Sequence, residues 1–243
     1  MTATELLTPV EELTQRAAVF ALFARLLGYD PTPLLDGVTL SDLRAGLRAL
    51  GEDDALGLLD RVDEVIDLDS ADPDTLRKAW VRWFEMGRIG PYECSNTLVS
   101  AGGHTAPLAD IAGFYRAFGV KIQGDRPDHM VAELEFFSLV TVAEAAARST
   151  GADDQAEVAA SAARSFLRDH LGRWLDAFAT RVLEVDPPLV WGPIAAAAAS
   201  MVRSETRRRN VIVVEDARSF LHDEDLPEEA GEPECGSDLD FIE

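Results

Sequence analysis

Apolar residues recur at three- and four-residue spacing along almost the whole chain, and no stretch alternates apolar with polar residues for long enough to make a strand. Such a pattern buries its apolar stripes only by packing helix on helix. The expected fold is therefore all-α, a single-domain bundle of nine to ten helices over residues 1–210. Helix starts are written plainly. Thr8-Pro9-Val10-Glu11 is a capping box with proline at the first helical position, and Asp72-Pro73 repeats the device as N-cap and first residue. Stops are expected at Gly28, Gly51, Gly87, Gly119 and near Gly151. Further helices are expected over Pro107–Phe118, Pro127–Ser149, Asp153–His170, Leu171–Val185 and Leu189–Arg207. The last carries five alanines, Ala195 to Ala199, that permit close helix contact.

Charge narrows the possible partners. The 243 residues hold 22 basic against 44 acidic side chains, a formal net charge of −22, so nucleic acid is not an expected partner. All the basic residues but Lys78 and Lys121 are arginine. Two origins fit that bias: a protein working in molar salt, as in halophilic archaea, or a GC-rich genome that replaces lysine with arginine. From Glu215 onward twelve acidic residues face a single basic one, Arg218, so residues 211–243 are expected to form an extended or disordered acidic tail. At its start, ahead of the acidic residues, Val211-Ile212-Val213-Val214 reads as a short extended arm on the bundle. No uncharged apolar run reaches about 18 residues and no basic, apolar leader follows Met1, so the expected location is the cytoplasm, without membrane insertion. Cys94 and Cys235 resemble neither a disulfide framework nor a zinc knuckle.

Two clusters stand out. In the first, Trp80, Trp83 and Phe84 fall within about one turn and share a broad face, which runs into a Gly/Pro loop carrying Tyr92, Glu93 and Cys94. The second places Asp110, Phe114 and Tyr115 on one helix, then Arg126-Pro127-Asp128-His129 at the start of the next, with Glu133 four residues on from His129. Packing explains the aromatics on its own terms, and Asp128 can serve simply as a cap. His129 and Glu133 share a face, so a helical metal- or nucleotide-dependent enzyme using Asp128, His129 and Glu133 is the alternative reading, with His104 a distant further ligand. Phosphate loops, nucleophile elbows and dinucleotide fingerprints are missing from the sequence.

Taken in order, the two clusters resemble the TorD/DmsD/NarJ family of redox-enzyme maturation chaperones over residues 10 to 205. The family's first motif stands here as Trp80, Trp83-Phe84, Gly87 and Pro91, with tryptophan in the leucine place. Its second stands as Asp125-Arg126-Pro127-Asp128-His129, preceded by Asp110, Gly113, Phe114, Tyr115 and Gly119. Cys94, where relatives often have serine, and the acidic tail depart from the pattern. The resemblance implies a cytoplasmic chaperone, not an enzyme and without a cofactor, acting as monomer or homodimer. It implies as partner the catalytic subunit of a molybdopterin oxidoreductase, whose twin-arginine signal peptide or N-terminal segment is held until cofactor insertion. Such a ligand calls for carboxylates beside an apolar trough. The expected site is then an open slot walled by Trp80, Trp83, Phe84 and Phe114 and edged by Glu93, Asp110 and Asp128, with Tyr92 and His129 orienting the acids. The tail is either a solvated appendage or a competitor, with Asp238-Leu239-Asp240-Phe241-Ile242 docking on that slot.

Overall fold

The computed structural model describes residues 7–87, 89–98, 103–121 and 126–214. The acidic stretch 215–243, Cys235 and Asp125 lie outside the described residues. Twelve α-helical segments follow one another among those described: α1 (Pro9–Leu26), α2 (Thr32–Leu35), α3 (Thr39–Leu50), α4 (Asp53–Asp60), α5 (Val62–Val65), α6 (Pro73–Trp80), α7 (Glu93–Asn96), α8 (Thr105–Ala117), α9 (Met130–Ser149), α10 (Asp153–Phe166), α11 (Gly172–Leu183) and α12 (Trp191–Arg208). Among the described residues the only β-pairing is one antiparallel bridge between Tyr92 and His129. No described helix is long and apolar enough to cross a membrane.

Both expected caps form. Thr8 Oγ1 accepts the Glu11 amide at 3.3 Å while Glu11 accepts the Thr8 amide at 2.8 Å, and Asp72 accepts the Thr75 amide at 2.8 Å. From these starts α1 lies along α9, α10 also packs on α9, and α11 pairs with α12. Phe20 of α1 meets Phe137 of α9 edge to face at 4.7 Å between ring centres. Every residue from Trp191 to Val202 is buried, so α12 is the central helix and its alanines let neighbours close in on all sides. The Val211–Val214 stretch is neither helix nor strand: Val211 packs on the core while Ile212 and Val214 face solvent.

Charges inside the bundle are joined into one ladder. Arg16 donates to Glu12, Glu52 and Glu205 at 2.9, 2.9 and 3.0 Å, Glu205 also accepts from Arg208 and Arg209, and Arg209 continues to Glu144 at 2.8 Å. It ties α1, the start of α4, α9 and α12. Each cation in it is arginine, whose fork serves several carboxylates at once as an ammonium cannot.

Two π turns, Val81–Glu85 after α6 and Leu167–Leu171 between α10 and α11, were not foreseen. The second replaces the break expected at Leu171 with a continuous helix. A π turn advances less per residue than an α turn, which re-aims the side chains beyond it. Both are followed by a glycine that the wide turn requires. A Cβ on Gly87 would lie 2.4 Å from the Trp83 carbonyl oxygen, and one on Gly172 would lie 2.3 Å from that of Leu167.

Candidate functional site

The turn after α1, the π turn after α6, the end of α8 and one face of α9 enclose a groove of about 900 Å³. Its floor is the edge of Trp80 with Tyr115 and Phe136, and Leu139 and Tyr29, 40% and 50% exposed, stand at its mouth. Trp80 is fixed by its indole N–H, which donates to the Leu27 carbonyl at 3.3 Å, and by edge-to-face contact with Tyr29 at 5.6 Å. Glu85 and Glu135 supply acid to the rim, and Lys121 and Arg126 supply base. Burial raises the Glu135 pKa above the usual carboxylate value.

The motif before α9 forms one wall. Chain 91–93 pairs with 128–130 through the Met130 amide on the Pro91 carbonyl at 2.8 Å and the Glu93 amide on the Asp128 carbonyl at 2.9 Å. The Asp128 carboxylate accepts two bonds from Arg126, at 2.9 and 2.8 Å, and the Cys94 amide at 3.1 Å. Burial opposes its charge, yet Arg126 and the Cys94 amide hold its pKa below the usual value. The Arg126 guanidinium also lies over the Tyr92 ring, 4.2 Å from its centre. His129 is the N-cap of α9, its Nδ1 accepting the Val131 amide at 3.1 Å, and burial pushes its pKa down to about 4. That helix therefore starts at Met130 and not at Pro127.

This geometry corrects the open, acid-edged slot. Phe84 is core, between Phe178 and Trp191, and Glu93 and Asp128 are sealed, as is all but an edge of Trp80. The π turn is the reason for part of it. The four-residue step from Trp80 to Phe84 returns to the core, whereas the three-residue step to Trp83 swings onto a different groove. Glu93 bonds His170 Nδ1 at 3.0 Å and exposed Asp110 bonds His170 Nε2 at 3.1 Å, with Phe114 packed on the same imidazole. Of the nine expected residues, Trp80 and His129 line the groove, and Tyr92 and Asp128 support it through Arg126. Trp83, Phe84, Glu93, Asp110 and Phe114 lie elsewhere, and Tyr29, Glu85, Glu135 and Leu139 were missed. Glu135 had a signal: it is two residues from buried Glu133 and so faces away from it.

Asp128, His129 and Glu133 do not converge on a common point. Each is committed to a partner, the third accepting the Trp174 indole N–H at 3.1 Å. Among the described residues no group of three or more His, Cys, Asp or Glu is arranged to hold a metal, and His104 is exposed. Cys94 is a buried free thiol, its pKa pushed up to about 12 by burial and by Asp128.

Glu133 is fully buried, and burial followed by the charge of Glu93 holds its pKa well above the ordinary value. Its Oε1 meets no donor, so a proton on that oxygen, offered toward Glu93, is what satisfies it. A folded-state pKa above the unfolded one means stability is fullest below about 4.5 and falls as pH rises toward the folded value. Glu133→Gln carries that donor permanently. It is expected to match the parent in urea unfolding near pH 4 and to exceed it by about 1–3 kcal/mol at pH 8. Equal or lower stability at pH 8 would mean that the site holds an ionised carboxylate instead.

Comparison with known proteins gives a consistent placement. Residues 50–180 match the family described as the nitrate reductase delta subunit. Over 116 residues, 45% of this chain and 58% of the relative, the sequence is 36% identical to the chlorate reductase assembly chaperone protein of Ideonella dechloratans. Over 120 residues, 46% of this chain and 60% of the relative, it is 35% identical to the selenate reductase assembly chaperone protein of Thauera selenatis. The chain thus spans less than two thirds of the length of either relative. No solved structure matches it.

Proposed function

Because the chain belongs to the nitrate reductase delta subunit family, we propose that it is a cytoplasmic assembly chaperone, not an enzyme, for the catalytic subunit of a molybdopterin oxidoreductase. It holds that subunit's signal peptide or N-terminal segment in the groove floored by Trp80, Tyr115 and Phe136. One observation carries this reading: a partly open, apolar groove of about 900 Å³ has Glu85 and Glu135 on its rim, beside Lys121 and an Arg126 already paired with Asp128. A leader with an arginine pair followed by an apolar stretch matches both parts. The apolar side chains bury against Leu139, Tyr29 and the Trp80 edge, each contributing about 1.5–3 kcal/mol when fully covered. The arginines reach the two rim carboxylates, which stand free of the sealed pairs that occupy Asp128 and Glu93.

Arg126, His129 and Tyr92 act by shaping the wall. Neutral His129 at pH 7 presents an apolar ring face toward Trp80, 6.3 Å away centre to centre. The test is titration calorimetry of the full chain with a synthetic peptide of the partner's N-terminal segment. Reversing the rim charges with Glu85→Lys and Glu135→Lys together is expected to weaken binding about tenfold or more, equivalent to about 1.4 kcal/mol. A change below twofold, with circular dichroism unaltered, would remove the rim from the reading.

A further inference from the structure

A second groove of about 690 Å³ adjoins the first, sharing Tyr29 and Val81. Its apolar surface is Trp83, Ile89 and Met86, the last 83% exposed. Its charged lining residues are Arg77, Lys78 and Arg82, with no acidic residue among them. In a chain of net charge −22 that lining runs against the overall sign. Arg77 is held by Asp74 at 2.9 Å, whereas Lys78 and Arg82, both exposed and four residues apart, make no ion pair with a carboxylate among the described residues. Arg82 instead lies 5.9 Å from the centre of the Trp83 ring.

We propose that this groove is occupied by the chain's own segment Asp238-Leu239-Asp240-Phe241-Ile242-Glu243. That segment combines three carboxylates with three apolar side chains, the complement of a greasy floor with a basic rim. The first groove suits it less, because there Glu85 and Glu135 offset Lys121 and Arg126, whereas the second groove is lined by bases without an acid. Reach is ample. Twenty-three residues lie between Val214 and Asp238, which as a flexible chain span about 25–30 Å on average and up to about 80 Å extended. The helical body of some 210 residues has a radius of gyration of about 17 Å. Tethering supplies an effective concentration on the order of 1 mM, so an affinity of that order keeps the segment docked. The proposal stands on charge and burial and is independent of what fills the first groove.

Trp83 is the reporter, since Trp80, Trp174 and Trp191 are buried. Acrylamide quenching of the full chain is compared with that of a chain ending at Val214. Truncation is expected to increase quenching, and the increase should vanish when Trp83→Phe is introduced into both forms. A synthetic peptide of residues 232–243 added to the truncated chain should restore protection with half-saturation at or below about 1 mM. Lys78→Glu with Arg82→Glu in the full chain should reproduce the truncated behaviour. Equal quenching of the two parent forms overturns the proposal, as does protection that survives the double charge reversal. Protection lost on dilution of a full-chain dimer assigns the groove to a second copy and overturns it equally.

Discussion

Glu205→Ala is expected to destabilise the protein by about 3–5 kcal/mol, the cost of stranding buried cations. Glu205 is fully buried and takes bonds from Arg16, Arg208 and Arg209 at 3.0, 3.0 and 2.9 Å, while Arg16 and Arg209 are themselves buried. Burial opposes the charge of Glu205, yet the three guanidinium groups hold its pKa below the ordinary value. Because the folded-state pKa is the lower one, its stabilisation is complete above about 4.5 and fades as pH falls through the folded value. The deficit of Glu205→Ala should therefore shrink in acid. Urea unfolding at pH 7 and pH 3.5, followed by helical circular dichroism, measures both. A deficit below 1 kcal/mol at pH 7 would show that the ladder is structurally idle. Replacing Arg16, Arg209, Glu144 and Glu205 together by apolar residues of similar volume should cost less, because the charges then left without partners, on Glu12, Glu52, Arg148 and Arg208, all keep some contact with solvent.

Asp128→Ala carries the second large effect, about 2–3 kcal/mol. Its carboxylate joins Arg126 to the Cys94 amide and so clips residues 91–94 against the start of α9. Removal leaves a buried amide without an acceptor, while Arg126, partly exposed, turns to solvent at little cost. Asp128→Asn keeps an acceptor for Cys94 and loses only the ion pair, so its deficit should be about half as large. Asp128 also has a depressed pKa, so the ion-pair part of the Asp128→Ala deficit is present above about 3.8 and fades in stronger acid, while the part due to the Cys94 amide remains. A peptide-contacting Asp128 would instead leave the melting temperature unchanged and lower only the affinity for the client segment. The two roles are thus separated by one melting curve.

The architecture was legible wherever a local signal fixed it. Thr8-Pro9 and Asp72-Pro73 name their caps, and the alanine run at 195–199 announces a helix surrounded by others. The groove was legible only in part, because what decides it is not local. Nothing near Trp83 in sequence tells that the backbone widens there and parts its ring from those of Trp80 and Phe84. Asp128 read as an available acid, although Arg126 two residues away consumes it. Glu93 likewise read as a rim carboxylate, and its partner His170 lies 77 residues further on, beyond any spacing argument. Tyr29 looked like the residue after a helix stop and became one lip of both grooves.

Lys78 and Lys121, the chain's two lysines, are both exposed, the former on the rim of the second groove and the latter on the rim of the first. Arginine everywhere else makes the rest of the body silent to reagents that acylate primary amines, apart from an α-amino group. The molecule therefore carries a built-in pair of footprinting handles. Whatever covers one groove slows acylation at its own lysine, so a single mass spectrum of the labelled chain tells which of the two is occupied.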